Sequence, residues 1–165
     1  MDTLVVRRAR TSDVRAIKAV VDAYAGRVLL VKQLVTLYED VQEFWVAALG
    51  DRVVGCGALH VLWEDLAELR TIAVLPGHVG KGIGHALVDA LVSAAKDLGL
   101  SRLFVLTFET AFFAAHGFTT IEGTPVPPDI YEEIRRSFDE GVAEFLDLPH
   151  IKPNTLGNTR MLLTL

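Results

Sequence analysis

A single cysteine, Cys56, occurs in 165 residues, so the chain forms no internal disulfide and holds no multi-cysteine metal cluster. That scarcity fits a reducing compartment. A basic excess is also lacking: the formal net charge is -5, which argues against a general nucleic-acid binder but leaves room for a local basic patch around an anionic ligand. His60, His78, His85, His116 and His150 lack a metal-ligand spacing such as His-x-x-x-His on one helix, and no metal is expected. No stretch approaches the length of a membrane span, and the opening MDTLVVRRARTSD is too short in apolar run for a signal peptide. The expectation is a cytoplasmic protein without membrane contact. Internal repeats, low-complexity tracts and linkers are missing too. What remains, 51% hydrophobic and 22% charged, is the composition of one globular domain with a sizeable core.

The apolar periodicity lays out the elements. Leu4-Val5-Val6, followed by two arginines, reads as a first strand. Thr11 or Ser12 caps a helix with apolar residues at Val14, Ile17, Val21 and Tyr24, ended by Gly26. A second helix covers residues 34–41. Strands follow at 44–49 and 53–63, joined by a tight turn at Gly50-Asp51. Gly55 and Gly57 within the second of these mark a bulge or a close backbone approach. Another strand spans 67–74. After a glycine loop, Ile83, Leu87, Leu91, Ala94 and Leu98 form a helical stripe closed by Gly99. Residues 103–107 read as a buried parallel strand and 110–116 as a short aromatic helix closed by Gly117. Residues 124–144 carry a helix-like stretch whose Glu132, Glu133, Arg135 and Arg136 are read as a solvated face. A last strand covers 159–165. The whole predicts an α/β or α+β single domain with a mixed sheet.

The loop Gly80-Lys81-Gly82-Ile83-Gly84 carries the most chemistry. Glycines at alternate positions leave the backbone unshielded, so several N–H groups can point at one compact anion. The helix that opens there adds its dipole and its unpaired first-turn N–H groups. A phosphate or pyrophosphate is the natural ligand. Two nucleotide motifs fail on spacing. A Walker-type loop needs Ser or Thr after its lysine, and Ile83 stands two places beyond Lys81 with no hydroxyl between. A dinucleotide fingerprint needs Gly-x-Gly-x-x-Gly near the first strand, whereas this spacing is Gly-x-Gly-x-Gly and lies mid-chain.

The run from Ile72 through Ala73, Val74, Leu75, Pro76, Gly77, His78, Val79, Gly80, Lys81, Gly82 and Ile83 to Gly84 resembles the acetyl-coenzyme A loop of the GNAT family of N-acetyltransferases. Phe112-Phe113-Ala114-Ala115-His116-Gly117-Phe118 resembles the family's helix and turn after the fifth strand. The resemblance implies acetyl-CoA as co-substrate, held by Ile72, Ala73, Val74, Val79, Gly80, Lys81, Gly82, Ile83, Gly84, Phe112 and Phe113. It also implies a mostly antiparallel sheet whose fourth and fifth strands splay apart. Two positions depart from the pattern: Val79 stands where Arg or Gln is usual, and Phe113 where many members carry a tyrosine as general acid. A thiol near its reference pKa of about 8.5 is a tolerable leaving group without that acid.

Leu29-Leu30-Val31-Lys32, the strand at 103–107 and the tail from Lys152-Pro153-Asn154 through Asn158-Thr159-Arg160 are similar to the acetyltransferase domain of the bacterial N-acetylglutamate synthases. Coverage runs from about residue 6 to 163 and is loosest over 122–148, which reads as an insert. The kinase-like domain of those enzymes is missing, so arginine feedback through it is not assumed. The resemblance implies transfer of acetyl to the α-amine of L-glutamate or L-glutamine, the first step toward arginine. Two other readings stay open: another amine, on a small molecule or protein, and an acetyl-CoA-binding module without catalysis.

For amine acetylation the site must take a proton from an ammonium. The resemblance implies Glu68 as general base, with Glu109 as the alternative. Strand alternation places 68, 70 and 72 on one face if no bulge intervenes. Arg70 then either offers its planar fork to a substrate carboxylate or pairs with Glu68 or Glu64. Lys32 and Arg160 are the further cations that the resemblance brings to the acceptor, with Asn154 or Asn158 for an amide or carboxylate. Cys56 reads as packing in an apolar strand, and Trp45 and Trp63 as core or rim. His78 lies in the loop and so near the phosphates. Dimers are common in families of this kind, so a homodimer is a possible assembly.

Overall fold

A computed structural model describes residues 2–25, 32–147 and 158–165. Its elements in chain order are β1 (Leu4–Arg8), α1 (Val14–Asp22), α2 (Leu34–Glu39), β2 (Phe44–Leu49), β3 (Arg52–Trp63), β4 (Leu66–Val74), α3 (Ile83–Asp97), β5 (Arg102–Thr107), α4 (Thr110–Ala114), β6 (Thr119–Thr120), α5 (Pro128–Ile134), α6 (Glu140–Phe145) and β7 (Thr159–Thr164). The strand order is β1-β2-β3-β4-β5-β7-β6. The pairings β1–β2, β2–β3, β5–β7 and β6–β7 are antiparallel, and β4–β5 is parallel. This is the α+β mixed sheet expected from the sequence. The chain forms two compact units, Met1–His60 with Leu69–Gly99, and Val61–Glu68 with Leu100–Leu165.

In the first unit the middle strands are buried on both faces. Val46 and Cys56 join Val14, Ile17, Val20, Val21 and Leu37 of the first two helices. Ala47, next to Val46, and Val54, at the register shift between Ala47 and Ala48, join Ile83 and Leu87 of α3. Because successive strand residues point to opposite faces, a strand covered twice reads as a continuous apolar run. Val14, Ile17, Val20 and Val21 are wholly buried, each worth about 1.5–3 kcal/mol of transfer free energy. Leu49 pairs with Arg52 around a two-residue turn, and Gly50 supplies its positive φ of 58°.

The start of α1 differs from expectation. Neither Thr11 nor Ser12 caps it; both lie in a 3₁₀ turn, Thr11–Asp13. Asp13 stands at the N-cap of α1 without a side-chain bond to it; its carboxylate turns back, accepting from the Arg10 backbone N–H at 2.7 Å and from both terminal nitrogens of Arg7 at 2.8 and 3.0 Å. The predicted end at Gly26 lies outside the described residues. In α3, Ile83, Leu87 and Leu91 are buried as expected, together with Val88 and Ala95. Leu98 is 62% exposed, because the helix has ended by then and Leu98 is its C-cap.

In the second unit β5 lies between β4 and β7. Leu66, Ala67 and Glu68 register with Arg102, Leu103 and Phe104, and Phe104 registers with Leu162 on its other side. The single helix-like stretch expected in 124–144 is two helices, α5 and α6. Asp139 caps α6, accepting from the Val142 N–H at 3.0 Å. The segment is a working part of the core: Ile134, Val142, Phe145 and Leu146 pack with Leu62, Leu66 and Phe104. Phe145 meets Phe104 edge to face, ring centres 4.9 Å apart. Its charged face is solvated as read, with exposed pairs Arg135–Glu132 at 3.0 Å and Arg136–Glu133 at 3.1 Å.

Candidate active site

The glycine loop belongs to the first unit. β4 ends at Val74, a short 3₁₀ turn covers Pro76–His78, and α3 begins at Ile83. Gly80 has φ 84° and Gly82, the N-cap, has φ 80° and ψ 5°. A Cβ on either glycine would meet nothing within 4 Å. Packing therefore does not require glycine there; the left-handed backbone does, and it leaves the front of the helix bare. Gly82 has no side chain with which to cap the first-turn amides of a fifteen-residue helix. That open cradle fits a pyrophosphate, and its donors are backbone groups, so Val79 in place of Arg or Gln removes little. Val79 is 62% exposed and Lys81 is exposed beside it. His78 is half-buried, and its Nδ1 is buried without a hydrogen-bond partner among the described residues.

The strand feeding this loop is irregular in one place. Thr71 has φ 56°, rare for a β-branched residue, so β4 does not alternate cleanly. The expectation that 68, 70 and 72 share one face fails at Ile72 for that reason. Two side chains reach the backbone of the strand's end. The Cys56 thiol donates to the Thr71 carbonyl at 3.4 Å, and the Tyr24 hydroxyl donates to the Val74 carbonyl at 2.5 Å. The glycines flanking Cys56 explain how β3 fits against the irregular stretch. A Cβ on Gly55 would lie 3.1 Å from the Ala73 carbonyl oxygen, and one on Gly57 would lie 3.2 Å from Ile72 Cγ1 and 2.9 Å from Leu91 Cδ1. Both alternatives read from sequence apply here: the glycines serve close approach, and the register with β2 shifts next to Gly55. Burial pushes the Cys56 thiol up to about 12, so Cys56 is packing and a weak donor rather than a nucleophile. Ile72 and Val74 are half-buried and Ala73 is buried.

Glu68 lies in the second unit, 5% exposed, in register with Phe104 on the neighbouring strand. Arg160 sets its guanidinium 4.9 Å over the Phe104 ring. The Arg160 donors go to the backbone of the 122–147 segment: Nε to the Gly123 carbonyl at 2.8 Å, Nη1 to the Glu144 carbonyl at 3.3 Å and Nη2 to the Phe145 carbonyl, with Thr124 Oγ1 at 3.5 Å. Burial lowers the Arg160 pKa, while the charges of Asp147 and Glu68 act to raise it. Most of the fork expected to meet substrate is therefore engaged with the chain itself.

Phe113 is 5% exposed and packs edge to face with Phe112 and Phe118, centres 5.0 and 5.4 Å apart. Phe112 is half-buried beside the His116 ring. Glu109 is exposed at the N-cap of α4, its N–H donating to Thr107 Oγ1 at 2.8 Å. Lys32, Arg70 and Asn158 are half-buried; Asn154 lies outside the described residues. Trp45 is half-buried under the Arg8 guanidinium at 5.8 Å, and Trp63 packs on the core beside Phe104. Tyr24 was legible only as an apolar helix position. The signal that it would do more is its hydroxyl, which must find a partner when the ring packs. Among the described residues no group of His, Cys, Asp and Glu is arranged to hold a metal, and no helix is long and apolar enough to cross a membrane.

The model of the acetyltransferase (GNAT) family matches residues 15–120. An amino-acid acetyltransferase of Mycobacterium tuberculosis is 68% identical over 164 residues, 98% of this chain and 94% of that protein. The crystal structure of Rv2747 from Mycobacterium tuberculosis, in complex with CoA and NLQ, superposes with a TM-score of 0.95 at 68% identity, covering 98% of this chain and 99% of that one. An N-acetylglutamate synthase from Neisseria gonorrhoeae, complexed with coenzyme A and N-acetyl-glutamate, has a TM-score of 0.77 at 23% identity. It shares the fold; this chain spans 36% of its length. The chain therefore belongs to the acetyltransferase (GNAT) family and is an acetyl-CoA-dependent enzyme of it.

Proposed function

We propose that this protein transfers the acetyl group of acetyl-CoA to the α-amine of L-glutamate or L-glutamine, the entry step to arginine. The observation that carries the reading is 68% identity to an amino-acid acetyltransferase over nearly the full length of both chains. A likeness of that extent spans the acceptor half of the chain as well as the loop. The cytoplasm, a small amino-acid acceptor without nucleic acid, and a homodimer are part of the same proposal. So is a single catalytic domain over residues 1–165 in which 122–148 departs from the family pattern.

The chemistry asks for a held thioester, a neutral amine and a stabilised oxyanion. Amides of Gly80, Lys81, Gly82, Ile83 and Gly84 bind the pyrophosphate of acetyl-CoA, while Ile72, Ala73 and Val74 line its arm and Phe112 and Phe113 pack near it. Glu68, directly or through water, accepts the proton of the substrate ammonium; Glu109, exposed on its loop, is the second candidate. The amine nitrogen then forms its bond to the thioester carbonyl carbon, the carbon–sulfur bond breaks, and the thiolate leaves, the nitrogen's surplus proton passing through water to the sulfur. Burial of Phe113 in an aromatic cluster supports departure without a tyrosine acid. Lys32, Arg70 and Asn158, with Asn154, hold the acceptor's carboxylates or amide. Arg160 contributes its charge to the same task while its fork anchors the chain.

Glu68→Gln tests the role of the base. The expected result is a fall in kcat of about 100-fold or more with little change in the KM for acetyl-CoA. An unchanged rate and pH profile would take Glu68 out of the mechanism and leave Glu109 to be tested the same way.

A further inference from the structure

We infer that Tyr24 is a positioning residue for the cofactor, acting through the carbonyl of Val74. The inference rests on the reading of the glycine loop as a coenzyme A site. Val74 is the last residue of β4, and the loop leaves from it. Its carbonyl takes a side-chain donor in place of a strand neighbour, the Tyr24 hydroxyl at 2.5 Å, from a residue fifty positions earlier. The other attachments at this junction are backbone bonds: the Leu75 N–H donates to the Val54 carbonyl at 2.8 Å, and the His78 N–H closes the turn on the Leu75 carbonyl at 2.8 Å.

Tyr24 is itself well fixed. It follows α1 directly, its N–H donates to the Val21 carbonyl at 3.0 Å, and its ring packs against the core that holds Val20, Val21 and Leu37. A stiff aromatic lever with two rotatable bonds thus ties the loop's entry to the end of α1, whose Val14, Ile17, Val20 and Val21 are wholly buried. At the far end the loop is tied by Ile83 and Leu87, both buried. Between those ties a Cβ on Gly80 or Gly82 would meet nothing within 4 Å. A segment of that kind keeps its amides converged on one anion only if its ends are held, and the Tyr24 hydroxyl holds the carbonyl of Val74, the residue from which the loop leaves. Its loss leaves a half-buried carbonyl to find a new partner, and the backbone from Val74 to Val79 shifts to supply it.

Tyr24→Phe removes one oxygen and keeps the ring. Titration calorimetry with CoA should show a Kd raised about fivefold, the equivalent of one net hydrogen bond. The KM for acetyl-CoA should rise by the same factor, with kcat altered by less than about twofold and the acceptor KM held. A thermal melt reports whether the variant is folded. Wild-type values of both Kd and KM would overturn the inference, and so would a lowered melting temperature at unchanged Kd, which marks a merely structural tyrosine. Because the CoA titration needs no acetyl transfer, a protein that binds CoA and acetylates nothing would defeat the catalytic reading while Kd alone still decides this one.

Discussion

The guanidinium of Arg160 lies 4.9 Å over the ring of Phe104, the residue that stands in register with Glu68. One side chain thus joins the candidate base's strand neighbour to the carbonyls of Gly123, Glu144 and Phe145. Lysine keeps the charge and loses the fork. Arg160→Lys should therefore cost roughly 2–3 kcal/mol in urea unfolding, the worth of one or two charge-assisted bonds. A loss below experimental error would mean that the segment 122–147 is held by its apolar contacts alone.

Gly82 separates cofactor binding from stability. Alanine there meets no atom within 4 Å but must adopt φ 80°, at a cost of about 1–2 kcal/mol. Gly82→Ala should fold, melt a few degrees lower, and bind CoA at least about tenfold more weakly, because the methyl stands where the anion approaches. Equal CoA affinity in wild type and variant would move the pyrophosphate off this loop.

Asp13 gives the stability curve an acid limb. Its hydrogen bonds with Arg7 hold its carboxyl below the ordinary range, against the opposing effect of burial. A depressed carboxylate contributes stability that is complete above the unfolded value, about 3.9, and disappears as pH falls through the folded one. Asp13→Asn should be less stable than wild type by roughly 2 kcal/mol near neutral pH, with the gap closing below about pH 4. A gap independent of pH would assign the loss to shape rather than charge.

Cys56 should resist alkylation. It is wholly buried, and its thiol is pushed up to about 12 by burial. Iodoacetamide at mildly alkaline pH should leave native protein unlabelled by mass spectrometry and label it fully in urea. Rapid native labelling would show that β3 opens.

Much of this was written in local pattern. The alternate glycines announced a bare loop at a helix start, Gly50-Asp51 its hairpin, and the spacing of Val14, Ile17 and Val21 the buried face of α1, because each depends on residues within one turn. What escaped depends on distant partners. Nothing near Thr71 in sequence says that a β-branched residue will take φ 56°; the Cys56 thiol and the bare backbone of Gly55 and Gly57 make room for it. The charges of the segment 124–144 were legible because they are local, whereas its burial comes from Phe104 and Leu66. The backbone carbonyls that Arg160 meets are likewise distant in sequence. Thr11 and Ser12 fell in a 3₁₀ turn before α1 because Arg7, on the preceding strand, and the Arg10 N–H hold the Asp13 carboxylate there.

The central claim is the acceptor. Purified protein should be incubated with acetyl-CoA and an equimolar mixture of amino acids and polyamines, with products identified by mass spectrometry. Acetylation on the α-amine of glutamate or glutamine, matched by an equal release of free thiol, is the predicted result. Acetyl found chiefly on a polyamine or another amino acid, or no thiol released while CoA is bound, would contradict it.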